Sequence, residues 1–548
     1  MEFQKTVAYF ALEAAIHPSL RTYAGGQGYL TGSFARAAKR LGLPVVIVTI
    51  LWRKGYYDQI LGKDGMEVHY IDRYYQDILE DTGTGVKVQI GGNPNVLIKA
   101  LRLKPGVFGE DLPPILFLDA DIPENDAESR ANTQILYPDD NGQRLAQEII
   151  LGIGGVRILQ TPKILQAFGI PRIDIYHLNE EYCLLAAIEL IRQKMAEGLD
   201  FQEALNQVKS QVVFTTHRPQ LSGWCNLEVM FKMGCFPGLN QEQINFLGGN
   251  PFNQTAACLR IAKKANAVSQ LHSETANRLW AWVEGKCEIV PITNGVDIPY
   301  WEDEPDFQGE KTPEEIRSLK LKHKRRLLEE NKRQTGKDFR EDVFTVIWAR
   351  RGDEYKRPGL ILRDDVWPWY EKLLESDKVQ HIVDFKPHPN DRELIRLLNE
   401  FWRRSKSQKN LSIWTDYDLA QSRILKKGAD AWLNTPRRPR EACGTSGMSA
   451  ALYYTLNISI RDGWVVEGLG PEIAFLFGVD HPYPHEWEQD MKDAEGFKEA
   501  SGLAMDTFYG NKTKWYEMAR LAKRVVREKF SAERMIRDYM AQLYTGQR

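Results

Sequence analysis

The chain has 548 residues, of which 43% are hydrophobic and 27% are charged, and its formal net charge at pH 7 is -2. One hydrophobic core rarely supports this length, so two domains are expected. The near-neutral charge balance gives no electrostatic basis for binding nucleic acid or an anionic membrane surface.

The six cysteines show no C-x-x-C pair and no regular spacing. This pattern argues against a disulfide framework or a zinc site, favours a reducing compartment and gives no reason to expect a metal. The first residues lack the basic stretch and apolar core of a secretory leader, and no apolar run is long enough to span a bilayer. We therefore expect a cytoplasmic protein without a membrane partner.

In the first 300 residues, short apolar runs alternate with segments of helical period. This alternation is typical of parallel sheets with crossover helices. A helix is predicted over residues 32–43, and strands over residues 7–10, 44–51, 173–177, 212–217, 267–271 and 289–293. Several of these strands end in polar residues, where open α/β sheets bind their ligands.

The composition changes to charged and helical between about residues 301 and 342, which predicts a connection between domains. A second α/β pattern follows, with predicted strands at 343–349, 381–385 and 429–433. Helical periodicity over 514–543 predicts a C-terminal helix. The expected division is an N-terminal domain over 1–300, the connection 301–342 and a C-terminal domain over 343–548.

Two segments carry candidate phosphate ligands. The turn Tyr23-Ala-Gly25-Gly26-Gln27-Gly28 lies between a predicted strand and a helix, where backbone amides can approach a phosphate. The segment 349–357, A-R-R-G-D-E-Y-K-R, follows a predicted strand and supplies fixed cations for a phosphate leaving group. The alternatives are an ordinary tight turn and a solvated basic turn.

The run 434–449, N-T-P-R-R-P-R-E-A-C-G-T-S-G-M-S, resembles the signature N-x-P-R-R-P-x-E-A-S-G-T-S-G-M-K of the α-glucan phosphorylase family. Segments similar to the family's A-R-R-x-x-x-Y-K-R, F-T-T-H-T-P, H-L-N-E-G-H and V-T-N-G-V-x-x-P-x-W occur in the same order, between residues 7 and 467. The resemblance implies an α/β protein of the GT-B fold. In that fold two Rossmann-like domains face a central cleft, the N-terminal one on the acceptor side and the C-terminal one binding the donor.

The resemblance also implies roles for individual residues. Arg351 and Lys356 would bind the substrate phosphate. Glu441 would accept hydroxyl hydrogens of the hexose, and His217 would contact the sugar. We therefore expect these four residues to be catalytic. Donor or sugar contacts are expected from Gly25, Gly26, Gln27, Asn294, Tyr355, Cys443, Gly444 and Thr445.

The chain departs from the family pattern at informative positions. Ser449 stands where the family has the lysine that forms a Schiff base with pyridoxal phosphate. A hydroxyl cannot form an imine, so covalently bound pyridoxal phosphate is expected to be absent. Glu181-Tyr182 replaces Gly-His, and Tyr453-Tyr454 replaces Asn-Gly.

The favoured interpretation is a retaining hexosyltransferase, with glucose as the expected sugar, that uses a nucleotide-sugar donor and a carbohydrate or small-molecule acceptor. In related GT-B transferases a nucleotide diphosphate fills space comparable to that of the cofactor and substrate phosphates. Two alternatives stay open. One is a phosphorylase that binds pyridoxal phosphate non-covalently or takes free phosphate in its place, and the other is a catalytically silent carbohydrate-binding homologue. The resemblance also leaves a homodimer open.

Overall fold

A computed structural model describes residues 3–109, 112–481 and 483–545. Contacts divide the chain into two compact units. Unit 1 comprises Met1–Tyr56, Tyr70–Thr293 and Met535–Arg548, and unit 2 comprises Tyr57–His69 and Asn294–Arg534. The sequence predicted an N-terminal domain over 1–300, a connection over 301–342 and a C-terminal domain over 343–548. In the structure the chain instead passes between the units four times.

The strands, in chain order, are β1 (Val7–Phe10), β2 (Val45–Ile50), β3 (Asp58–Leu61), β4 (Met66–His69), β5 (Leu79–Ile90), β6 (Asn93–Leu103), β7 (Ile115–Asp119), β8 (Ile175–Asn179), β9 (Val212–Thr216), β10 (Trp224–Cys225), β11 (Phe252–Asn253), β12 (Lys264–Ala267), β13 (Ile289–Pro291), β14 (Phe344–Arg351), β15 (Val379–Lys386), β16 (Leu411–Trp414), β17 (Ala431–Asn434), β18 (Leu456–Ile460) and β19 (Phe475–Phe477).

The α-helices are α1 (Gly26–Arg40), α2 (Ala127–Ala131), α3 (Asn141–Ile149), α4 (Gly155–Leu159), α5 (Pro162–Ala167), α6 (Leu184–Ala196), α7 (Phe201–Lys209), α8 (Leu227–Met233), α9 (Gln241–Gly248), α10 (Gln254–Ile261), α11 (Gln270–Leu279), α12 (Ile298–Trp301), α13 (Pro313–Thr335), α14 (Trp367–Glu375), α15 (Arg392–Ser407), α16 (Leu419–Gly428), α17 (Ser446–Leu452), α18 (Val465–Gly468), α19 (Glu486–Gly510), α20 (Lys512–Lys529) and α21 (Ala532–Tyr539).

Unit 1 is built on a sheet with the strand order β13-β12-β9-β8-β1-β2-β7-β6-β5. The strands from β13 to β7 are parallel, and β6 and β5 pair antiparallel at one edge. Every residue of β1 and β2 is buried, which explains their continuous apolar runs. The order of strand addition reverses between β1 and β8, so the carboxyl ends of these two strands form a topological switch point.

Unit 2 is built on a parallel sheet with the order β16-β15-β14-β17-β18-β19. This is the strand order of dinucleotide-binding folds, and its switch point lies between β14 and β17. The structure therefore confirms the α/β class with a Rossmann-like sheet in each unit, as in the GT-B fold. In the described part of the chain, every helix is too short or too polar to span a bilayer.

Three predicted elements differ clearly from the structure. The helix predicted over 32–43 is α1, which begins at Gly26 and ends at Arg40, so Gly26, Gln27 and Gly28 of the predicted turn are its first residues. The strand predicted over 267–271 ends at Ala267, because the Ser269 side chain accepts the His272 N–H at 3.1 Å and starts α11. The C-terminal helix predicted over 514–543 is broken between α20 and α21. There the main chain bonds to Val296, with Val296 N–H donating to Phe530 at 2.9 Å and Ala532 N–H donating to Val296 at 2.8 Å.

Candidate functional site

The residues singled out by sequence gather at the two switch points. In unit 2, Arg351 ends β14, and Tyr355 and Lys356 come shortly after it. The loop from Thr435 to Thr445 follows β17. In unit 1, the turn before α1 follows β1, and Glu180 follows β8. Carboxyl ends of neighbouring parallel strands lie at one edge of a sheet, so residues far apart in sequence meet there.

The central contact of the unit 2 site joins Lys356 to Glu441. Lys356 Nζ lies 2.6 Å from Glu441 Oε2, and these side chains are only 13% and 14% exposed. Burial opposes the charge of Lys356, but Glu441 outweighs it and holds the pKa of Lys356 above its ordinary value. Tyr355 OH lies 3.5 Å from Glu441 Oε1, and burial followed by the Glu441 charge raises the pKa of Tyr355 to about 12. Three predicted site residues therefore form one cluster.

Asp462 fixes the position of Glu441. Its Oδ2 accepts the Glu441 N–H at 2.9 Å, and its Oδ1 accepts the N–H of Gly463 at 2.8 Å. Gly463 has a positive φ of 53°, and a Cβ there would lie 2.8 Å from the Glu441 carbonyl oxygen. Asp462 and Gly463 thus support the turn that presents Glu441, and position 463 requires glycine.

The two arginines that end β14 have different roles. Arg350 is buried, and its Nη2 donates to the Leu433 carbonyl at 2.9 Å and to the Asn434 side chain, which ties β14 to β17. The Arg351 side chain is 32% exposed and pairs with Asp353 at 3.1 Å. Arg351 is therefore the more exposed arginine of this pair, and its contact with a phosphate stays a prediction.

Cys443, Gly444 and Asn294 lie together in unit 2. Burial raises the pKa of the Cys443 thiol, although a hydrogen bond from the Asn294 main chain opposes the shift. A Cβ on Gly444 would lie 3.1 Å from Glu441 Cδ, so glycine lets the carboxylate approach the turn. The side-chain Oδ1 of Asn294 is buried without a hydrogen-bond partner among the described residues. The structure thus brings Asn294 close to the donor-side turn, although the sequence division placed it in the other domain.

Position 449 does not fit a covalently attached pyridoxal phosphate. Ser449 is 1% exposed, and its Oγ lies 3.3 Å from the Thr445 carbonyl and 3.1 Å from the Ser446 carbonyl, both acceptors in the same helical turn. The residue has no amine, and its hydroxyl is occupied by the main chain at the start of α17. Residue 449 therefore cannot supply the Schiff base on which that attachment depends.

Sequence reasoning missed a buried amine in the same unit. Lys426 Nζ donates to Ser422 Oγ at 2.7 Å and lies 4.3 Å and 5.2 Å from the ring centroids of Trp301 and Trp432. Burial, helped by the neighbouring guanidinium groups of Arg350 and Arg423, lowers the pKa of Lys426 well below its ordinary value. No clear signal for it was available in the sequence, because the buried face of α16 also includes Ser422 and Lys427.

In unit 1 the glycine-rich turn binds a carboxylate of the protein. Glu13 Oε2 accepts the N–H groups of Ala24 at 2.6 Å and Gly25 at 2.9 Å. A Cβ on Gly28 would lie 2.9 Å from the same oxygen, so this glycine allows α1 to approach Glu13. Glu13 Oε1 also accepts from Tyr137 OH at 2.8 Å, and Gln27 Oε1 lies 3.5 Å from that hydroxyl. The amide of Gly25 is thus already used, and phosphate contact by this turn stays a prediction.

His217 lies at the end of β9, held by two neighbours. Its main-chain N–H donates to Glu180 Oε2 at 2.8 Å, and its Nε2 lies 2.8 Å from Asn179 Oδ1. Burial, with smaller contributions from His272 and Arg218, lowers the pKa of His217 to about 3. The imidazole is therefore neutral at neutral pH and can serve a ligand by hydrogen bonding rather than as an imidazolium.

Next to His217 lies an ion pair that was not expected from the sequence. Arg218 Nη2 lies 3.0 Å from Glu181 Oε1 and bonds to Tyr182 OH, and Arg218 Nε lies 3.9 Å from Glu180 Oε2. Arg218 stands where F-T-T-H-T-P has its second-last residue, a threonine. That departure was the signal that could have revealed the pair.

Among the described residues, one group has metal-ligand geometry, with ligand atoms of Glu304, Asp306 and His323 within 4.8 Å of one another. Lys427 pairs with Glu304 at 2.7 Å, and Lys322 pairs with Asp306. These cations neutralise both carboxylates, so the group offers little attraction for a cation. The expectation that the protein holds no metal stays a prediction.

Comparison with known proteins gives the family. No protein family model matches the chain. An uncharacterized protein of Methanocaldococcus jannaschii is 39% identical over 98% of this chain and 100% of its own length. The maltodextrin phosphorylase of Thermococcus litoralis is 29% identical, over 99% of this chain and 71% of its own length. The glycogen phosphorylase of Mycobacterium tuberculosis is 32% identical, over 98% of this chain and 70% of its own length. With the signature segments gathered at the switch points of two Rossmann-like sheets, this chain belongs to the glycogen phosphorylase family.

Proposed function

We propose that the protein is a retaining hexosyltransferase, with glucose as the expected sugar, whose donor carries a nucleoside diphosphate as the leaving group. The acceptor is a carbohydrate or another hydroxyl-bearing small molecule. The observation that carries the proposal is the contrast within unit 2. Position 449 offers a serine hydroxyl bonded to its own helical turn, whereas the phosphate-handling residues Arg351 and Lys356 are retained.

The unit 2 residues suit the departure of a phosphate. Breaking a bond between sugar and phosphate develops negative charge on the leaving oxygen, and fixed cations stabilise that charge. Glu441 keeps Lys356 charged despite its burial, so the ammonium is available at and above neutral pH. Arg351 is exposed enough to add a second charge-assisted contact.

Glu441 can serve the sugar while it stays paired with Lys356. A carboxylate has about four lone-pair sites, and the contact with Lys356 uses Oε2. The contact of Oε1 with Tyr355 OH is long, at 3.5 Å, which leaves this oxygen able to accept a hydroxyl hydrogen. We therefore assign the hexose to the Oε1 side of Glu441 and the phosphates to Lys356 and Arg351.

Phosphorolysis is the second candidate, because relatives at 29% and 32% identity bear the names maltodextrin phosphorylase and glycogen phosphorylase. In that reaction Arg351 and Lys356 would bind orthophosphate or a sugar 1-phosphate. Pyridoxal phosphate would then have to bind without a bond to residue 449, or be replaced by a free phosphate. A catalytically silent sugar-binding protein is the third interpretation.

Ligand identity separates these candidates. Thermal unfolding is measured with UDP, ADP and GDP, their glucose conjugates, glucose 1-phosphate, pyridoxal phosphate and maltotriose. A ligand at 100 times its Kd adds about 2.7 kcal/mol to the stability of the folded state, which raises the melting temperature measurably. We expect a nucleoside diphosphate glucose to stabilise the protein and its glucose to appear on an added acceptor.

Release of glucose 1-phosphate from maltotriose and orthophosphate, without any nucleotide effect, would overturn the proposal in favour of a phosphorylase. Stabilisation by sugar alone would favour the silent homologue.

The cysteines bear on the location of the protein. All six are unpaired in the structure, and we propose that the protein resides in the reducing cytoplasm.

A further inference from the structure

Two departures from the family pattern meet in unit 1. Glu181 stands where H-L-N-E-G-H has glycine, and Arg218 stands where F-T-T-H-T-P has its threonine after the histidine. They are 37 residues apart in the chain, yet Arg218 Nη2 lies 3.0 Å from Glu181 Oε1. A new carboxylate and a new guanidinium that pair with each other indicate a rebuilt site rather than independent sequence drift.

The main chain at this place is strained. Glu180 has φ 83° and ψ 163°, a conformation that glycine adopts readily and other residues rarely do. Strain of this kind is unfavourable and persists only where the surroundings impose it. Here it points Glu180 Oε2 at the His217 N–H, 2.8 Å away, and leads directly into the turn Glu181–Cys183.

Glu180 and Glu181 are neighbouring buried carboxyl groups whose pKa values shift in opposite directions. Burial and then the neighbouring charge of Glu181 raise the pKa of Glu180 well above its ordinary value. Burial also disfavours the charge of Glu181, but the charge of Arg218 and the neighbouring Glu180 together lower the pKa of Glu181. These shifts favour the proton on Glu180 and the negative charge on Glu181, beside the Arg218 guanidinium.

Within the part of the chain that the structure describes, two polar atoms of this ion pair have no hydrogen-bond partner. Glu181 is 2% exposed, and its Oε2 accepts no hydrogen bond there, while Arg218 Nε is buried and donates none. A buried polar atom without a partner destabilises the folded state until a ligand or another group satisfies it. One atom needs a donor and the other needs an acceptor, and a hydroxyl group is both.

We propose that Glu181 Oε2 and Arg218 Nε bind a hydroxyl group of a sugar or other polyol, and that this pair sets which acceptor the protein takes. Tyr182, whose hydroxyl bonds to Arg218 and whose ring lies 5.5 Å from the guanidinium carbon, holds the arginine in place. The evidence for the binding site is the geometry of unit 1 alone. Only the identification of its ligand as the acceptor rests on the proposed function.

The test measures sugar binding without any donor. Titration calorimetry is carried out with maltotriose, cellotriose and myo-inositol on the wild type, Glu181→Gln and Arg218→Lys. Glu181→Gln keeps the shape but removes the charge, and Arg218→Lys keeps a cation but removes the Nε donor. The matched control is Glu189→Gln, because Glu189 is also a buried carboxylate paired with arginines, Arg157 at 2.9 Å and Arg192 at 2.7 Å.

We expect the wild type to bind at least one of the three polyols. Both variants should raise its Kd by at least about tenfold, as expected for loss of a charge-assisted hydrogen bond. Glu189→Gln should leave the Kd unchanged. If Glu181→Gln fails to fold, the Kd of Arg218→Lys alone tests the inference.

Failure of all three polyols to bind the wild type, or unchanged affinity in the folded variants, would overturn the inference. Absence of sugar transfer by the wild type would instead contradict the proposed function. It would not contradict the binding site proposed for Glu181 and Arg218, because binding is measured without a donor.

Discussion

Lys356 and Glu441 form a 2.6 Å ion pair at the switch point of unit 2, although 85 residues separate them in the chain. The resemblance implied a phosphate ligand on one side and a sugar ligand on the other. Because the two side chains touch, a donor that binds there engages both at once. Changing either residue therefore alters the electrostatics of the other.

Glu441→Gln should weaken sugar recognition far more than nucleotide recognition. The amide keeps the shape but loses the charge-assisted partner of a sugar hydroxyl, so affinity for the nucleotide sugar and the transfer rate should both fall. Calorimetry with the free nucleoside diphosphate and with its sugar conjugate measures the two effects separately. Equal losses for the two ligands would place Glu441 on the phosphate side, and no loss would remove it from the site.

The same variant should change the pH dependence of donor binding. In the wild type Glu441 holds the pKa of Lys356 above its ordinary value, so the ammonium persists as the pH rises. Without the carboxylate, burial dominates and lowers the pKa of Lys356. Donor affinity should therefore decline at a lower pH in Glu441→Gln than in the wild type. If donor affinity declined at the same alkaline pH in the two proteins, Lys356 would not bind the phosphates.

Arg351→Ala and Lys356→Ala should each slow transfer by roughly a hundredfold, which corresponds to about 2–4 kcal/mol of transition-state stabilisation. Each removes a charge-assisted contact to the leaving phosphate. Arg363→Ala is the matched control, because Arg363 is an arginine of the same unit in an exposed pair with Asp365 at 2.9 Å. Unchanged kinetics in both site variants would mean that the phosphates bind elsewhere.

Borohydride reduction in the presence of pyridoxal phosphate should leave no stoichiometric pyridoxyl adduct on the protein. Ser449 has no amine, and its hydroxyl lies against the carbonyl groups of its own helical turn. Intact-protein and peptide mass spectrometry detect an adduct, with a lysine-bearing phosphorylase as the positive control. Lys426 is the lysine to inspect first, since burial lowers the pKa of its amine. A stoichiometric adduct on any lysine would revive the phosphorylase interpretation.

Stability of unit 1 should fall between about pH 4 and pH 8 because of Glu148. Burial raises the pKa of Glu148 to about 8, although a hydrogen bond from Gln254 opposes the shift. The unfolded carboxyl titrates near about 4.3, so between these values the folded state holds a proton that the unfolded state has lost. The contribution is complete below about pH 4 and is lost as the pH rises toward 8.

Glu148→Gln should remove this dependence. Relative to the wild type, its melting temperature should rise between about pH 5 and pH 8, because the amide cannot ionise. Glu189→Gln is a comparison in which the pKa shift has the opposite sign. The arginines beside Glu189 lower the pKa of that carboxyl in spite of its burial. A parallel pH profile for wild type and Glu148→Gln would contradict the assignment.

The fold was largely predictable because its signals are local. Buried parallel strands such as β1 and β2 appear as uninterrupted apolar runs, and Gly25 marks the turn between the first strand and α1. The extent of the units was not predictable in this way. The return of residues 535–545 to unit 1 depends on contacts with residues several hundred positions earlier, and no local pattern encodes them.

The site was predictable where the family motif supplied it, and less so elsewhere. Arg351, Lys356 and Glu441 were named from their motifs. The direct pairing of Lys356 with Glu441 could not be predicted from sequence and is visible only in the structure. Arg218 was overlooked because a single arginine after a histidine has no chemical meaning until Glu181 is known to lie beside it. Glu13 was likewise overlooked, since nothing in sequence shows that its carboxylate accepts the amides of the glycine-rich turn.

The last segment of unit 1 has a practical consequence for anyone who wants to produce that unit alone. Tyr544 OH bonds to His177 Nδ1 at 2.7 Å, and Tyr539 packs against the same buried imidazole with ring centroids 5.3 Å apart. An expression fragment that stops near residue 293 would leave this histidine facing water on the side those tyrosines cover. A workable fragment would join residues 56 and 70 by a short linker and fuse 535–545 behind residue 293, so that the tyrosines are supplied in the same chain.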